Sequence, residues 1–229
     1  GADVEPEVPV APVEVTYHTV STEDDFNALL KKLSAATVFC VDTETTSLDY
    51  MQAEIVGLSF AIRAGEAWYV PVGHDYMGAP DQLARDDVLS ALKPILENPA
   101  IGKIGQHLKY DMHVLENYGI VLNGIVFDTM LASYVRDATA TRHNMDDMAA
   151  HYLGVKTTKF EEIAGKGVKQ LTFNQVDVEK AAHYAAEDAD ITLRLHDILA
   201  PQLIAEPKLE SVFRDIEMPL VPILQAMEH

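Results

Sequence analysis

The chain has 229 residues, 48% of them apolar, which is enough for one substantial hydrophobic core. Asp and Glu number 36 against 17 Lys and Arg, a formal net charge of −19, and taken alone that balance argues against a nucleic-acid-binding surface. No apolar stretch is long enough to span a bilayer, no basic-then-apolar leader opens the chain, and the single Cys40 cannot form an internal disulfide, so the expected setting is cytoplasmic.

In chain order, residues 1–16 are rich in Pro, Val and Glu without helical or strand period and read as a linker arm. Ser21-Thr22-Glu23-Asp24 offers a helix N-cap, and Phe26, Leu29, Leu30 and Leu33 follow at helical spacing. Thr37-Val38-Phe39-Cys40-Val41 reads as a central strand. Residues 54–62 and 67–72 are apolar segments around Arg63-Ala64-Gly65-Glu66, the pattern of a β-hairpin. A helix is predicted over residues 83–96, a short strand over 101–105 and a helix over 111–118 that stops at Gly119. An edge strand is predicted over 121–126, with Asp128 capping the next helix.

Residues 143–153 read as helical and 156–169, with Gly165 and Gly167, as a loop. A long helix is predicted from about Val176 to Leu199, ending before Pro201, and another from near Leu209 to the last residue. The order of strand, hairpin, then alternating helix and strand predicts an α/β fold with a mixed central sheet flanked by helices.

Two acids, Asp42 and Glu44, close the central strand. Residues two apart on a strand share a face, so both carboxylates point the same way, with Val38 and Cys40 behind them. Adjacent like charges on an apolar face need a neutralising partner, and a hard divalent cation is the economical one. The long helix aligns Tyr184, Asp188, Ile191, Leu195 and Ile198 on one stripe, which aims Tyr184 and Asp188 inward. Asp111 opens a helix after the polar turn Gly105-Gln106-His107-Leu108-Lys109-Tyr110, where favourable first-turn charge would also account for it. Four acids delivered by these elements can hold two divalent ions, an arrangement suited to in-line phosphoryl displacement. Read from the residues alone, substrate and polarity stay open.

Val41-Asp42-Thr43-Glu44-Thr45-Thr46-Ser47-Leu48, Lys109-Tyr110-Asp111 and Tyr184-Ala185-Ala186-Glu187-Asp188 resemble the three exonuclease motifs of the DEDD superfamily, and Tyr184, four residues before Asp188, marks its tyrosine subclass. Phe127-Asp128-Thr129-Met130-Leu131, residues 160–167, residues 170–175 and Asp215-Ile216-Glu217-Met218-Pro219-Leu220 are similar to segments of the proofreading domain of bacterial DNA polymerase I. The resemblance implies a ribonuclease H-like fold over residues 17–205. It implies that 206–229 begin the helix leading to a polymerase domain, absent here, that would supply the basic duplex-binding surface. It also implies release of nucleoside 5′-monophosphates from a single-stranded or frayed DNA 3′ end, in a bacterial, nucleoid-associated setting, by a fragment expected to be monomeric.

By position, the resemblance assigns Asp42, Glu44 and Asp188 to a first metal. Asp42 would bridge to a second, held by Asp111 largely through water. The ions would be Mg²⁺ or Mn²⁺, with Zn²⁺ admissible at one site. Tyr184 would orient the attacking water. Leu48 and Phe160 match positions that pack on terminal bases, and Gln106, Tyr110 and Arg142 match positions near the substrate strand. His107 departs from the family, which usually has Asn there, so its contact with the terminal nucleotide is open to question. Two other readings remain: a silent exonuclease-like scaffold for a polymerase, and an RNA-trimming enzyme similar to ribonuclease D. The retained acids weigh against the first, and the segments around Phe160 and Met218 against the second.

Overall fold

In the computed structural model, residues 13–136 and 143–218 are described. A six-stranded mixed sheet runs in the order β1-β4-β3-β2-β5-β6. Its strands are β1 (Thr16–Thr19), β2 (Val38–Thr45), β3 (Ile55–Arg63), β4 (Glu66–Pro71), β5 (Gly102–Gly105) and β6 (Ile125–Asp128). The pairs β2–β3 and β3–β4 are antiparallel, whereas β1–β4, β2–β5 and β5–β6 are parallel. The helices are α1 (Glu23–Ala35), α2 (Arg85–Glu97), α3 (Leu108–Glu116), α4 (Thr129–Arg136), α5 (Met145–Met148), α6 (Phe160–Ala164), α7 (Val178–Ala205) and α8 (Pro207–Val212). Sheet order and helices together make the ribonuclease H-like α/β fold that the sequence leads one to expect.

Alternation along the strands sorts two different cores. Phe39 and Val41 of β2, Leu58 and Phe60 of β3, and Trp68 and Val70 of β4 face α1, α2 and α3, where Phe26, Leu33, Leu92 and Leu96 complete the packing. On the other face Cys40, Ala61 and Ala67 are small, and α7 meets them with Ala186 and Ala189. Small residues on both surfaces let a helix of 28 residues lie close along the sheet. Asp42 and Glu44 belong to this second face by the same alternation, so the helix that carries Asp188 covers them.

The structure corrects several expectations. Residues 16–19, the last of the linker arm and three residues for which no element is predicted, form a strand that pairs with β4. The edge strand spans Ile125–Asp128 rather than 121–126, because Leu122 is buried as coil and the chain turns at Gly124, where φ is +78°. The segment read as a loop contains α6, whose start is capped by the Glu162 carboxylate accepting from the Lys159 N–H at 3.1 Å. The helix expected over 143–153 passes from α5 into a π-helical turn at Ala149–Leu153 that ends at Gly154. The long helix continues past Pro201 to Ala205. Pro201 faces solvent, while Leu199 and Leu203 on either side are buried. Beyond α8 a π-helical turn runs over Phe213–Glu217, and the remainder of the helix expected to the last residue lies outside the described residues. Among the described residues, no helix is long and apolar enough to cross a membrane.

Candidate active site

The carboxyl end of β2 and the first half of α7 bring three acids together. Oxygens of Asp42, Glu44 and Asp188 all lie within 4.8 Å of one another. Asp42 and Glu44 are half-buried and Asp188 is buried. Burial pushes the Asp42 carboxyl up to about 7, against hydrogen bonds from the Thr43 backbone and Glu44. Burial, and then the charge of Asp42, hold Glu44 and Asp188 well above the usual carboxylate range. The donor set is all hard oxygen, and a divalent cation would relieve the crowding of its charges, so these residues fit a divalent metal ion.

Asp111 approaches from the other side of the sheet. Thr43 sits between Asp42 and Glu44 on β2 and therefore points to the opposite face, toward α3. There its N–H and hydroxyl both donate to Asp111 Oδ1, at 3.0 and 2.5 Å. Asp111 is thus beside the three clustered acids, not inside their group. It is buried, and burial followed by the Asp42 charge raises its pKa.

The start of α3 is held by a residue distant in sequence. The Asp128 carboxylate accepts from the N–H groups of His107 (3.3 Å) and Leu108 (2.8 Å) at α3. It also accepts from Met130 (2.9 Å) and Leu131 (3.3 Å) at α4. One side chain therefore caps two helices, where the sequence indicates only the second.

The acids form the floor of a cleft of about 500 Å³, lined also by Leu48, Tyr110, Phe160, Leu171, Phe173 and Tyr184. Tyr184 lies one turn before Asp188, its ring 6.0 Å from Phe160 and 6.1 Å from Phe173. Burial, then the charges of Asp188, Glu44 and Asp42, hold its hydroxyl protonated far above neutral pH. A phenol that keeps its proton can donate a hydrogen bond but cannot act as a base. Phe160 opens α6, half-buried and stacked on Phe173 at 6.3 Å.

The register of β2 against β3 shifts between Glu44 and Thr45. Such a shift bends a strand and re-aims its side chains, and the chain beyond carries Leu48 out to 97% exposure on the cleft wall. The Tyr110 hydroxyl lies 2.5 Å from the Thr45 hydroxyl and donates to Ser47 O at 2.6 Å, fastening this segment.

Gln106 does not line the cleft. Its amide N–H donates to His143 O at 3.2 Å, and its carbonyl accepts from the Thr129 hydroxyl. His107 is exposed, precedes α3 and has φ of +53°, a left-handed conformation in which Asn and His are both enriched. Arg142 lies outside the described residues. Thr43, Thr172 and Phe173 are site components that sequence reasoning did not single out. Thr43 lies inside the first motif, and Thr172 and Phe173 inside the 170–175 segment that resembles the family, but neither stretch alone says which of its residues enter the site.

The architecture is a ribonuclease H-like α/β fold with two carboxylates at the end of its central strand and a third facing them from α7. The sequence profile of a family described as 3′-5′ exonuclease matches residues 17–204. DNA polymerase I of Pseudomonas aeruginosa is 56% identical over 230 residues, covering 100% of this chain and 25% of that protein. DNA polymerase I of Rhizobium leguminosarum is 44% identical over 204 residues, covering 82% of this chain and 20% of that protein. Among solved structures, Escherichia coli RNase D superposes with a TM-score of 0.67 at 20% identity, covering 92% of this chain and 51% of that one. Brucella melitensis NrnC superposes with a TM-score of 0.65 at 19% identity, covering 94% and 93%. These structural likenesses concern the fold alone. The chain belongs to the 3′-5′ exonuclease domain family of DNA polymerase I, and the family implies a hydrolytic nuclease. It spans about a quarter of the length of the polymerase relatives it matches.

Proposed function

We propose that the chain is a metal-dependent 3′→5′ exodeoxyribonuclease that trims single-stranded or frayed DNA ends to 5′-mononucleotides, as a proofreading unit for a DNA polymerase. The observation that carries this reading is the group of three carboxylates with oxygens within 4.8 Å of one another, set at the floor of an aromatic-walled cleft. Residues 17–205 are taken as the catalytic unit, with 206–229 leading toward a polymerase domain. DNA is taken as the partner.

Asp42, Glu44 and Asp188 would hold a first divalent ion, with Asp42 shared toward a second. Asp111, whose Oδ1 is engaged by Thr43, would face that second ion through water. Such ions, when bound, lower the pKa of water and neutralise charge on a phosphodiester. The chain's own groups then position. Tyr184 keeps its proton and orients water by hydrogen bonding. Asp188 and Glu44 stay acceptor-only once ionised. Leu48 and Phe160 offer apolar surface to unstacked bases, and such contacts are tolerant of sequence.

The test uses single-stranded DNA labelled at its 5′ end. With Mg²⁺ or Mn²⁺ a ladder shortening from the 3′ end is expected, and a chelator should abolish it. Asp42→Ala or Asp188→Ala should each lower the rate at least about 100-fold. Unchanged rates in both variants would overturn the site assignment, and a preference for RNA over DNA of the same sequence would overturn the substrate.

A further inference from the structure

Behind the carboxylates lies a buried polar pair that the reading above does not use. On the α7 face of the sheet, Asp42 pairs with Ser59 and Ser59 with Tyr69, so these residues form one row across β2, β3 and β4. In the next row Glu44 stands opposite Gly57. The Tyr69 ring leans into the space that Gly57 leaves: a Cβ on Gly57 would lie 2.2 Å from the Tyr69 hydroxyl oxygen. The phenol therefore fills the slot over Gly57, across the strand pair from Glu44, and that carboxylate's charge, after burial, helps to raise the Tyr69 pKa.

The hydroxyl is fixed in turn. It lies 2.7 Å from His74 Nε2, and His74 Nδ1 lies 3.1 Å from Val176 O. A carbonyl only accepts, so Nδ1 carries the proton, Nε2 accepts, and Tyr69 donates. Burial lowers the His74 pKa, which favours the neutral ring of this arrangement. Gln82 holds the His74 backbone through both its N–H and its C=O, each at 2.8 Å. Val176 immediately precedes Asp177, the N-cap of α7. Phe173 touches both ends of the system, 6.3 Å from Tyr69, 5.8 Å from His74 and 6.1 Å from Tyr184.

We propose that Tyr69 and His74 are a positioning pair that holds Glu44 on β2 and Tyr184 on α7 in mutual register without touching substrate. This rests on the exonuclease reading above. A metal ligand loses its preferred direction when the side chain beside it can move, and loss of such supports costs affinity or rate. A nucleophile-orienting hydroxyl is as sensitive to the placement of its helix. The pair serves both, because one chain of contacts runs from the slot over Gly57, across the strand pair from Glu44, to the head of α7. A purely packing role would lower stability and leave the folded site unchanged.

The experiment compares wild type with Tyr69→Phe, His74→Leu and His74→Gln, all at temperatures where circular dichroism shows each folded. Mn²⁺ affinity is read from the spectrum of free Mn²⁺, and kcat and KM from single-stranded DNA. Tyr69→Phe and His74→Leu should lower kcat about 10- to 100-fold and weaken Mn²⁺ binding by about 3- to 10-fold, with KM within about twofold. His74→Gln, which still accepts from Tyr69 and donates to Val176, should recover most of the loss. Tyr69→Phe removes one oxygen and keeps the ring, so it decides the matter even if His74→Leu does not fold. Folded variants with wild-type kcat and Mn²⁺ affinity would overturn the positioning role alone. A wild type that binds no Mn²⁺ would overturn the metal reading and this one with it.

Discussion

Lys103 is fully buried on β5, an unusual place for an ammonium group. Its Nζ donates to Asn98 O at 2.7 Å and lies 5.9 Å from the centre of the Phe39 ring. Asn98 closes α2, which has no basic residue in its last turn, so Lys103 supplies the positive charge that this helix end favours. The cost is desolvation, which lowers the Lys103 pKa from 10.5 to about 8. In the unfolded chain the amine keeps its ordinary value, so between those two pH values the unfolded state binds more protons. Stability should therefore rise with pH across that window and, for this group, stay flat below it. Lys103→Met fills the site without a charge. It should match or exceed wild-type stability at pH 7 by on the order of 2 kcal/mol, a margin that shrinks toward pH 10. Urea melts of both proteins at several pH values provide the check, and a difference independent of pH would show that the buried charge carries no penalty.

Elements rather than residues decide how the fourth acid is placed. Asp111 and Tyr110 ride on α3, whose first N–H groups are capped by Asp128 at the end of β6. The same carboxylate starts α4. Asp128→Ala would orphan N–H groups on two helices at once and should destabilise the fold by about 2 to 4 kcal/mol. Asp128→Asn keeps one acceptor and should lose roughly half as much. Denaturant unfolding measures both, and losses under about 0.5 kcal/mol would mean the caps are dispensable. This non-local cap also explains what sequence reading reaches and what it misses. The helix was predicted from residue 111 and begins at Leu108, because its cap comes from a different strand. β1 was invisible for the same reason: four residues beside a Pro-rich stretch show no period, and only parallel pairing with β4 makes them a strand. β2, α7 and the hairpin were legible because burial on known faces sets their periods. The same periods made Asp42, Glu44, Tyr184 and Asp188 legible as convergent. Phe173, Tyr69 and His74 were not, since their meeting depends on loops whose course no period records.

At the scale of the whole molecule the question is how a chain with a net charge of −19 meets a polyanion. Among the described residues, one cation of the loop after α6, Lys166, is ion-paired with Glu161 at 3.0 Å. The floor of the cleft is itself acidic. A basic DNA-binding surface gains affinity by displacing counterions from phosphates, so its binding weakens steeply as salt is added. An acidic chain that, under the proposed function, would hold the strand by metal ions and apolar walls would release few counterions, and its long-range field would repel the strand. That repulsion is screened over about 10 Å at 0.1 M salt. With Mg²⁺ held saturating, the KM for a single-stranded oligonucleotide should stay level or fall as NaCl rises from about 20 to about 200 mM, the reverse of the usual trend. Initial rates at fixed temperature measure it. A KM that climbs more than about tenfold over that range would show that phosphate contacts to local cations dominate, and that the apolar cleft is not what holds the strand. A level or falling profile would instead support the proposed mode, in which apolar walls and bound metal ions, not local cations, hold the strand.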